Sequence, residues 1–256
     1  PAQVYYEISF NLKVILLLMF MVAGIFFMKD LLLFIFTKLL LKVKNKTSVS
    51  MLFVFSAAFL SAFLDALTVT AVLISVAVGF YTVYHQAASG KDYLDEHDLN
   101  DDSNLDSDEE ENLEKFKLFL CNLLMHGAVG TALGGACTIV GEPQNLLIGS
   151  VADWDFIEFY LRMAPITMPV LFAGLLTTLF LERFKILGYG AQLPDKVRDI
   201  LQAFDDNQAR HLTSEVKAKL IIQLLIGLIL MFSLAFSIAA VGLIGLMIII
   251  LLTSFT

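Results

Sequence analysis

The feature that most limits the fold of this chain is a break inside an otherwise apolar stretch, Gly134-Gly135-Ala136-Cys137-Thr138-Ile139-Val140-Gly141-Glu142-Pro143-Gln144-Asn145. Gly134, Gly135, Gly141 and Pro143 interrupt the helical hydrogen-bond ladder. Thr138, Glu142, Gln144 and Asn145 place polar groups within the same apolar surroundings. Hydrocarbon offers no water to freed backbone groups, so such a break persists only where it is buried in protein or lines a cavity. Broken helices with exposed carbonyls and a carboxylate hold small cations near the bilayer midplane in secondary transporters. The pattern points to movement of an ion or small solute.

The rest of the chain supports a membrane setting. Its 256 residues are 58% hydrophobic and include 22 Phe. Apolar runs long enough to cross a hydrocarbon core of about 30 Å recur, which implies an all-α polytopic membrane protein. The formal charge of −8 resides mostly in one loop, and orientation follows Lys and Arg instead. Cys121 and Cys137 fall in or near apolar segments without pairing or metal spacing and read as packing residues. There is no P-loop, no HExxH, no Cys/His metal spacing and no Ser/His/Asp pattern, which argues against an ATP-driven pump, a protease or any other enzyme. The chain starts at Pro1, shows no signal peptide and stops at Thr256 inside an apolar run, so a fragment of a longer protein is expected.

Along the chain, Val14 to Met28 reads as a span, and Leu31 to Val43 as an amphipathic helix lying on the surface. Met51 to Tyr84 would make a helix of roughly 50 Å, too long for one ordinary span, with Asp65 at its centre. Two half-helices meeting near Asp65 fit better. Residues 85–115 read as a solvated acidic loop. Its run Asp106 to Glu114 either gathers cations or is simply hydrated.

Phe116 to Val151 holds the glycine break, and Trp154 fits an interfacial anchor. Phe159 to Leu181 is a plain span with Pro165 and Pro169 near one end. Residues 182–219 form a second basic, amphipathic segment. Leu220 to Phe236 and Val241 to Phe255 are the last apolar runs, and the Gly242–Gly245 spacing favours close helix packing.

Orientation adds a topological argument. Lys29 to Lys46 and residues 182–219 are both basic, and the positive-inside tendency places both in the cytoplasm. Three apolar blocks lie between them, so one block must enter and leave on the same face. The block 51–84 has the length for a re-entrant hairpin with Asp65 near its tip.

Asp65 carries the chemistry. An intramembrane acid usually faces a cavity, a cation or a proton path. Ser61, Thr68 and Thr70 add hydroxyl oxygen, the ligand type hard cations prefer. One carboxylate that holds either a proton or a sodium ion is the simplest route to cation/proton exchange. The competing reading makes Asp65 a buried cap. For Glu142 two readings stay open: a second cation or proton ligand, or a charge beside Pro143 that stabilises a helix N-terminus. Asn145 suits a ligand shell or the satisfaction of frayed backbone. His126 is either titratable or a helix-interface histidine. His85, His97 and His211 show no partner spacing.

The segments LLLMFMVAGIFFMKDLLLFIFTKLLL (Leu16 to Leu41), FLSAFLDALTVTAVLISVAVGFY (Phe59 to Tyr81), MHGAVGTALGGACTIVGEPQNLLIG (Met125 to Gly149) and LPDKVRDILQAFDD (Leu193 to Asp206) resemble the NhaB-type bacterial sodium/proton antiporters. The resemblance implies the inverted-repeat ion-transporter fold, in which each repeat carries a re-entrant helical hairpin and an unwound, broken transmembrane helix. Ser61 to Thr68 would then occupy the first hairpin tip and Gly134 to Asn145 the unwound helix. Carboxylate carriers of the wider superfamily typically have Ser-Asn-Thr at the tip, whereas this chain has Leu64-Asp65-Ala66 nearby. The exchange of an amide for an ionisable group suits an antiporter and disfavours carboxylate substrates. A sodium-coupled anion carrier and a non-transporting scaffold are the rival readings.

The expected site therefore combines Asp65, Ser61, Thr68, Thr138, Glu142 and Asn145, with Gly134, Gly135, Gly141 and Pro143 making the break and Asp65 as the sodium ligand. No cofactor is expected beyond the transported Na+ and H+, with lithium open as a further cargo. The expected surroundings are the bilayer of a bacterial inner membrane, with self-association open and no nucleic-acid partner. Residues 1–256 are expected to form one partial transmembrane domain, corresponding to the first repeat and the opening of the second.

Overall fold

A computed structural model describes Val4 and residues 28–43, 45–89, 106–211, 213–236, 238–239 and 241–255. Its helices are α1 (Lys29–Lys42), α2 (Lys46–Ser61), α3 (Ala66–Ala88), α4 (Ser107–Gly135), α5 (Pro143–Ala152), α6 (Phe156–Phe184), α7 (Asp195–His211), α8 (Ser214–Ala235) and α9 (Val241–Phe255). No strand occurs among the described residues. Four helices, α3, α4, α6 and α8, are long and apolar enough to cross a membrane. The fold is that of an all-α polytopic membrane protein. The expected span from Val14 onward lies outside the described residues up to Met28.

Helix boundaries follow local chemistry. Asn45, Asp65, Asp106, Asp155 and Thr213 each accept a hydrogen bond from the first turn of the helix they precede. Asp106 and Glu109 complete a reciprocal capping box at the start of α4.

Side-chain neighbours give the helix directions. Along α4, Phe119 meets Lys46, Gly130 meets Val54, and Gly134 meets Ala58, so α2 runs parallel to α4. Thr131 meets Thr70, Gly127 meets Leu73, and Phe116 meets Tyr84, so α3 runs back the other way. The pair α2–α3 is therefore a hairpin that starts and ends beside residues 116–119 and turns beside residues 131–134. At 1.5 Å per residue α2 is about 24 Å long, short of the hydrocarbon thickness. α6 is antiparallel to α4, with Gly174 beside Leu133 and Glu182 beside His126.

Both basic segments gather at the open end of this hairpin, the base. Lys38 pairs with Asp205 at 2.5 Å, Lys46 with Glu182 at 3.4 Å, and Lys196 with Glu109 at 3.2 Å. Arg198 donates to the Val43 carbonyl at 3.4 Å. The shared end is what the topological argument for a hairpin requires.

Several expectations are corrected. Residues 31–43 do not merely lie on the surface: Leu32, Phe36, Leu40 and Leu41 of α1 are buried in the main core, and Phe36 packs on Phe53. Both ends of the expected acidic loop 85–115 are helical: 85–88 complete α3 and 107–115 begin α4. A strong N-cap outweighs the polarity of Asp108 to Glu111. His85 is a buried residue of α3, beside Tyr81. Pro165 and Pro169 sit well inside α6, whose helix continues through them. Cys137 is buried, but Cys121 is exposed on α4. Segment 182–219 is composite: the end of α6, a turn with left-handed Lys185 and Leu187, the amphipathic α7, and the first turn of α8. Val197 and Leu201 form the buried side of α7.

Candidate functional site: two helix breaks in contact

At the tip, α2 ends at Ser61 and α3 begins after Asp65, while alongside them α4 ends at Gly135 and α5 begins at Pro143. Two helix C-termini and two helix N-termini thus converge. The convergence depends on backbone proximity. A Cβ on Gly134 would overlap the Ala58 carbonyl, and one on Gly141 would collide with Gly135 and come within 2.8 Å of the Ser61 carbonyl. Only glycine leaves room at these two positions.

The breaks are stitched to each other. The Ala66 N–H donates to the Gly141 carbonyl at 3.2 Å, and the Thr138 hydroxyl donates to the Ala62 carbonyl. Ser61 donates to the Thr131 carbonyl at 2.7 Å, and the Thr70 and Thr131 hydroxyls pair at 3.1 Å. Asn145 Nδ2 donates to the carbonyls of Gly135 at 3.0 Å and Thr138 at 2.8 Å, closing the break across itself. These bonds satisfy backbone groups that the glycines and proline released.

Asp65 is buried, with 6% exposure, at the N-cap of α3. Its Oδ2 accepts from the Thr68 N–H at 3.0 Å and the Thr68 hydroxyl at 3.2 Å. No hydrogen bond to Oδ1 is present among the described residues. Glu142, half-buried, occupies the N-cap of α5 beside Pro143 but makes no capping hydrogen bond. It accepts from Gln144 at 3.4 Å and lies within electrostatic reach of Asp65. Among the described residues no three His, Cys, Asp or Glu side chains converge on one point. A cation held here would rest on one or two carboxylates plus hydroxyl and carbonyl oxygens, a set suited to hard ions.

All six polar residues singled out from the sequence come to this locus, with different local duties. Asp65 and Thr68 form the cap. Ser61, Thr138 and Asn145 direct their hydrogens to backbone carbonyls. Sequence reading missed Thr131, which joins both hairpin arms to α4. It also missed the stripe Gly127, Gly130, Gly134, although that small-residue spacing was visible. A second polar cluster at the base, around Glu182, gave no spacing signal at all.

The model of the family described as Bacterial Na+/H+ antiporter B (NhaB) matches residues 1–256. A protein of Marinomonas sp. (strain MWYL1) named Na(+)/H(+) antiporter NhaB is 62% identical over 252 residues, covering 98% of this chain and 50% of the relative. The protein of the same name from Teredinibacter turnerae is 60% identical over 256 residues, covering 100% of this chain and 51% of the relative. That of Shewanella halifaxensis is 57% identical over 255 residues, covering 100% and 48%. The chain spans about half the length of the curated relatives it matches. A match along its whole length, joined to a hairpin and a broken helix in contact, places this chain in the bacterial Na+/H+ antiporter B (NhaB) family.

Proposed function

We propose that this chain contributes one half of the transport path of a secondary Na+/H+ antiporter, which exports Na+ in exchange for H+ across the bacterial inner membrane. The observation that carries the reading is the state of Asp65: a buried carboxylate between two helix breaks, with one oxygen used by its cap and, among the described residues, no hydrogen bond to the other. A buried carboxylate without a counter-charge favours a proton, and a sodium ion beside it favours the ionised form. The two cargoes therefore exclude each other at one group, which is what antiport requires.

In this scheme Asp65 binds Na+ or H+, with hydroxyl or carbonyl oxygen from Ser61, Thr68, Thr138 and Asn145 nearby. Glu142 adds negative potential and is the second candidate ligand. The bonds from Ser61, Thr138 and Asn145 to backbone carbonyls support a part for these residues in holding the backbone in shape. The rest of a family member supplies the matching hairpin and break of the inverted repeat, and access alternates as the hairpin bundle moves against a scaffold. The base, where the Lys and Arg residues gather, faces the cytoplasm. Residues 1–256 act as one transmembrane unit, and the ions themselves are the only small molecules required.

The test uses a full-length protein carrying this chain, reconstituted in vesicles that hold a pH gradient. Added sodium should collapse the gradient with wild type and leave it intact with Asp65→Asn. Sodium-driven collapse at wild-type rate in Asp65→Asn would remove Asp65 from the site. No response in wild type would remove antiport itself.

A further inference from the structure

At the base, three charged or titratable side chains from three helices meet on one oxygen. Glu182 Oε1 accepts from Ser50 at 2.9 Å, faces His126 Nε2 at 2.9 Å, and lies 3.4 Å from Lys46 Nζ. All of them are buried: Glu182 and His126 at 3% exposure, Lys46 at 9%, Ser50 at 0%. Among the described residues Glu182 Oε2 and Lys46 Nζ have no close hydrogen-bond partner. Lys46 is held by the charge of Glu182 and by the Phe119 ring 4.5 Å away. It is also the first residue of α2, where a helix disfavours a cation. A buried ammonium in that position needs a negative partner, and Glu182 supplies one.

With Glu182 ionised, the Nε2–Oε1 bond requires a hydrogen on Nε2, which neutral and protonated His126 both supply. With His126 neutral, the Lys46–Glu182 pair is electrically balanced. One further proton on the imidazole makes the cluster cationic and strengthens the His126 bond to the oxygen that Lys46 also uses. The two cations then repel each other beside one carboxylate, whose single negative charge balances only one of them. Beside the cluster opens a cleft of about 730 Å³, lined in part by Lys46 and Glu182. Its other charged groups are Lys185, Asp195, Arg198 and Asp199, and the Tyr189 ring lies tilted against the His126 ring with centroids 4.7 Å apart. The cleft borders the cluster, and the Glu182 side chain itself is fully buried behind it.

We infer that His126, Glu182 and Lys46 form a proton-binding centre at the base of the hairpin, separate from the tip, in which His126 takes up a proton and displaces Lys46 from the shared carboxylate. Lys46 is the first residue of the hairpin, and Glu182 belongs to the helix packed against it. Proton uptake at the base thus loosens the anchor of the hairpin whose far end carries Asp65. The centre rests only on this geometry, and its test does not require transport.

The experiment is a pH titration of histidine ring nitrogens by nuclear magnetic resonance, on a full-length protein carrying this chain in lipid nanodiscs, with His126→Gln identifying the signal. The titration runs from about pH 5 to about pH 9, and the His126 signal should respond to pH within it. Glu182→Gln should lower its midpoint by about one pH unit or more, and Lys46→Met should raise it by a similar amount, because one removes a neighbouring negative charge and the other a positive one. Opposite shifts cannot come from general loosening. Should Glu182→Gln fail to fold, the upward shift in Lys46→Met decides alone. Asp65→Asn should leave the titration in place while stopping sodium-driven proton movement, which separates this centre from the antiport reading. A His126 signal that stays in one protonation state across that range, that ignores Lys46→Met, or that vanishes in Asp65→Asn overturns the inference.

Discussion

Two buried carboxylates sit at opposite ends of the hairpin, and they are held by different means. Asp65 at the tip is held by its own helix, through the N–H and hydroxyl of Thr68 three residues on. Glu182 at the base is held by side chains 132, 56 and 136 residues away, from Ser50, His126 and Lys46 (all counted from Glu182). A local cap occupies one oxygen and, among the described residues, leaves the other without a hydrogen bond, as the proposed exchange needs. A cluster drawn from three helices makes the carboxylate a structural joint, and any proton arriving there must act on the joint. The same chemical group thus suits exchange in one place and anchoring in the other.

The contrast breaks most sharply at Asp65. Asp65→Asn should reduce sodium-driven proton movement in vesicles to the level of protein-free controls. Its thermal unfolding in detergent should change by less than about 1 kcal/mol, since Asn is as good an N-cap as Asp. Glu182→Leu should do the reverse in stability, costing about 3–5 kcal/mol because Lys46 is left buried without a counter-charge. The double variant Lys46→Met/Glu182→Leu should recover most of that loss in the same melting experiment. A neutral Glu182→Leu would show that the base is not a joint.

Smaller effects sharpen the comparison. Gly134→Val, which forces a side chain into the Ala58 backbone, should cost about 1–3 kcal/mol by the overpacking it creates. Asn145→Ala should cost about 1–3 kcal/mol by stranding the Gly135 and Thr138 carbonyls. Faster amide exchange over residues 136–142 is the accompanying signature, and unchanged exchange would deny Asn145 its role in closing the break. Ser50→Ala removes one of three partners of Glu182 Oε1 and should cost only about 1 kcal/mol in a melting experiment.

The legibility of the two regions in the sequence follows the same division. The tip was readable because its signals are local: glycines and a proline in an apolar run, and an acid flanked by hydroxyls. Those residues stand out against their neighbours whatever the fold. Asp65 caps α3, as one of its two readings requires, and lies buried between the two breaks. Glu142 likewise occupies a helix N-cap while lying near Asp65. Residues 85–88 and 107–115 were misread as loop because their polarity masked the caps and the continuation of the neighbouring helices.

By itself the sequence determined the helical class, the membrane setting, the two break positions and the family, because hydrophobic length, helix-breaking residues and close similarity along the chain are properties of order along one dimension. Only the tertiary structure decided that α2 and α4 run side by side so that the two breaks touch, that α1 belongs to the core, and that Lys46, His126 and Glu182 share one oxygen. Those facts depend on which helix faces meet. No spacing along the chain encodes a contact between residues 46, 126 and 182, because it is made by packing three helices and by the cost of leaving any of the three groups buried alone.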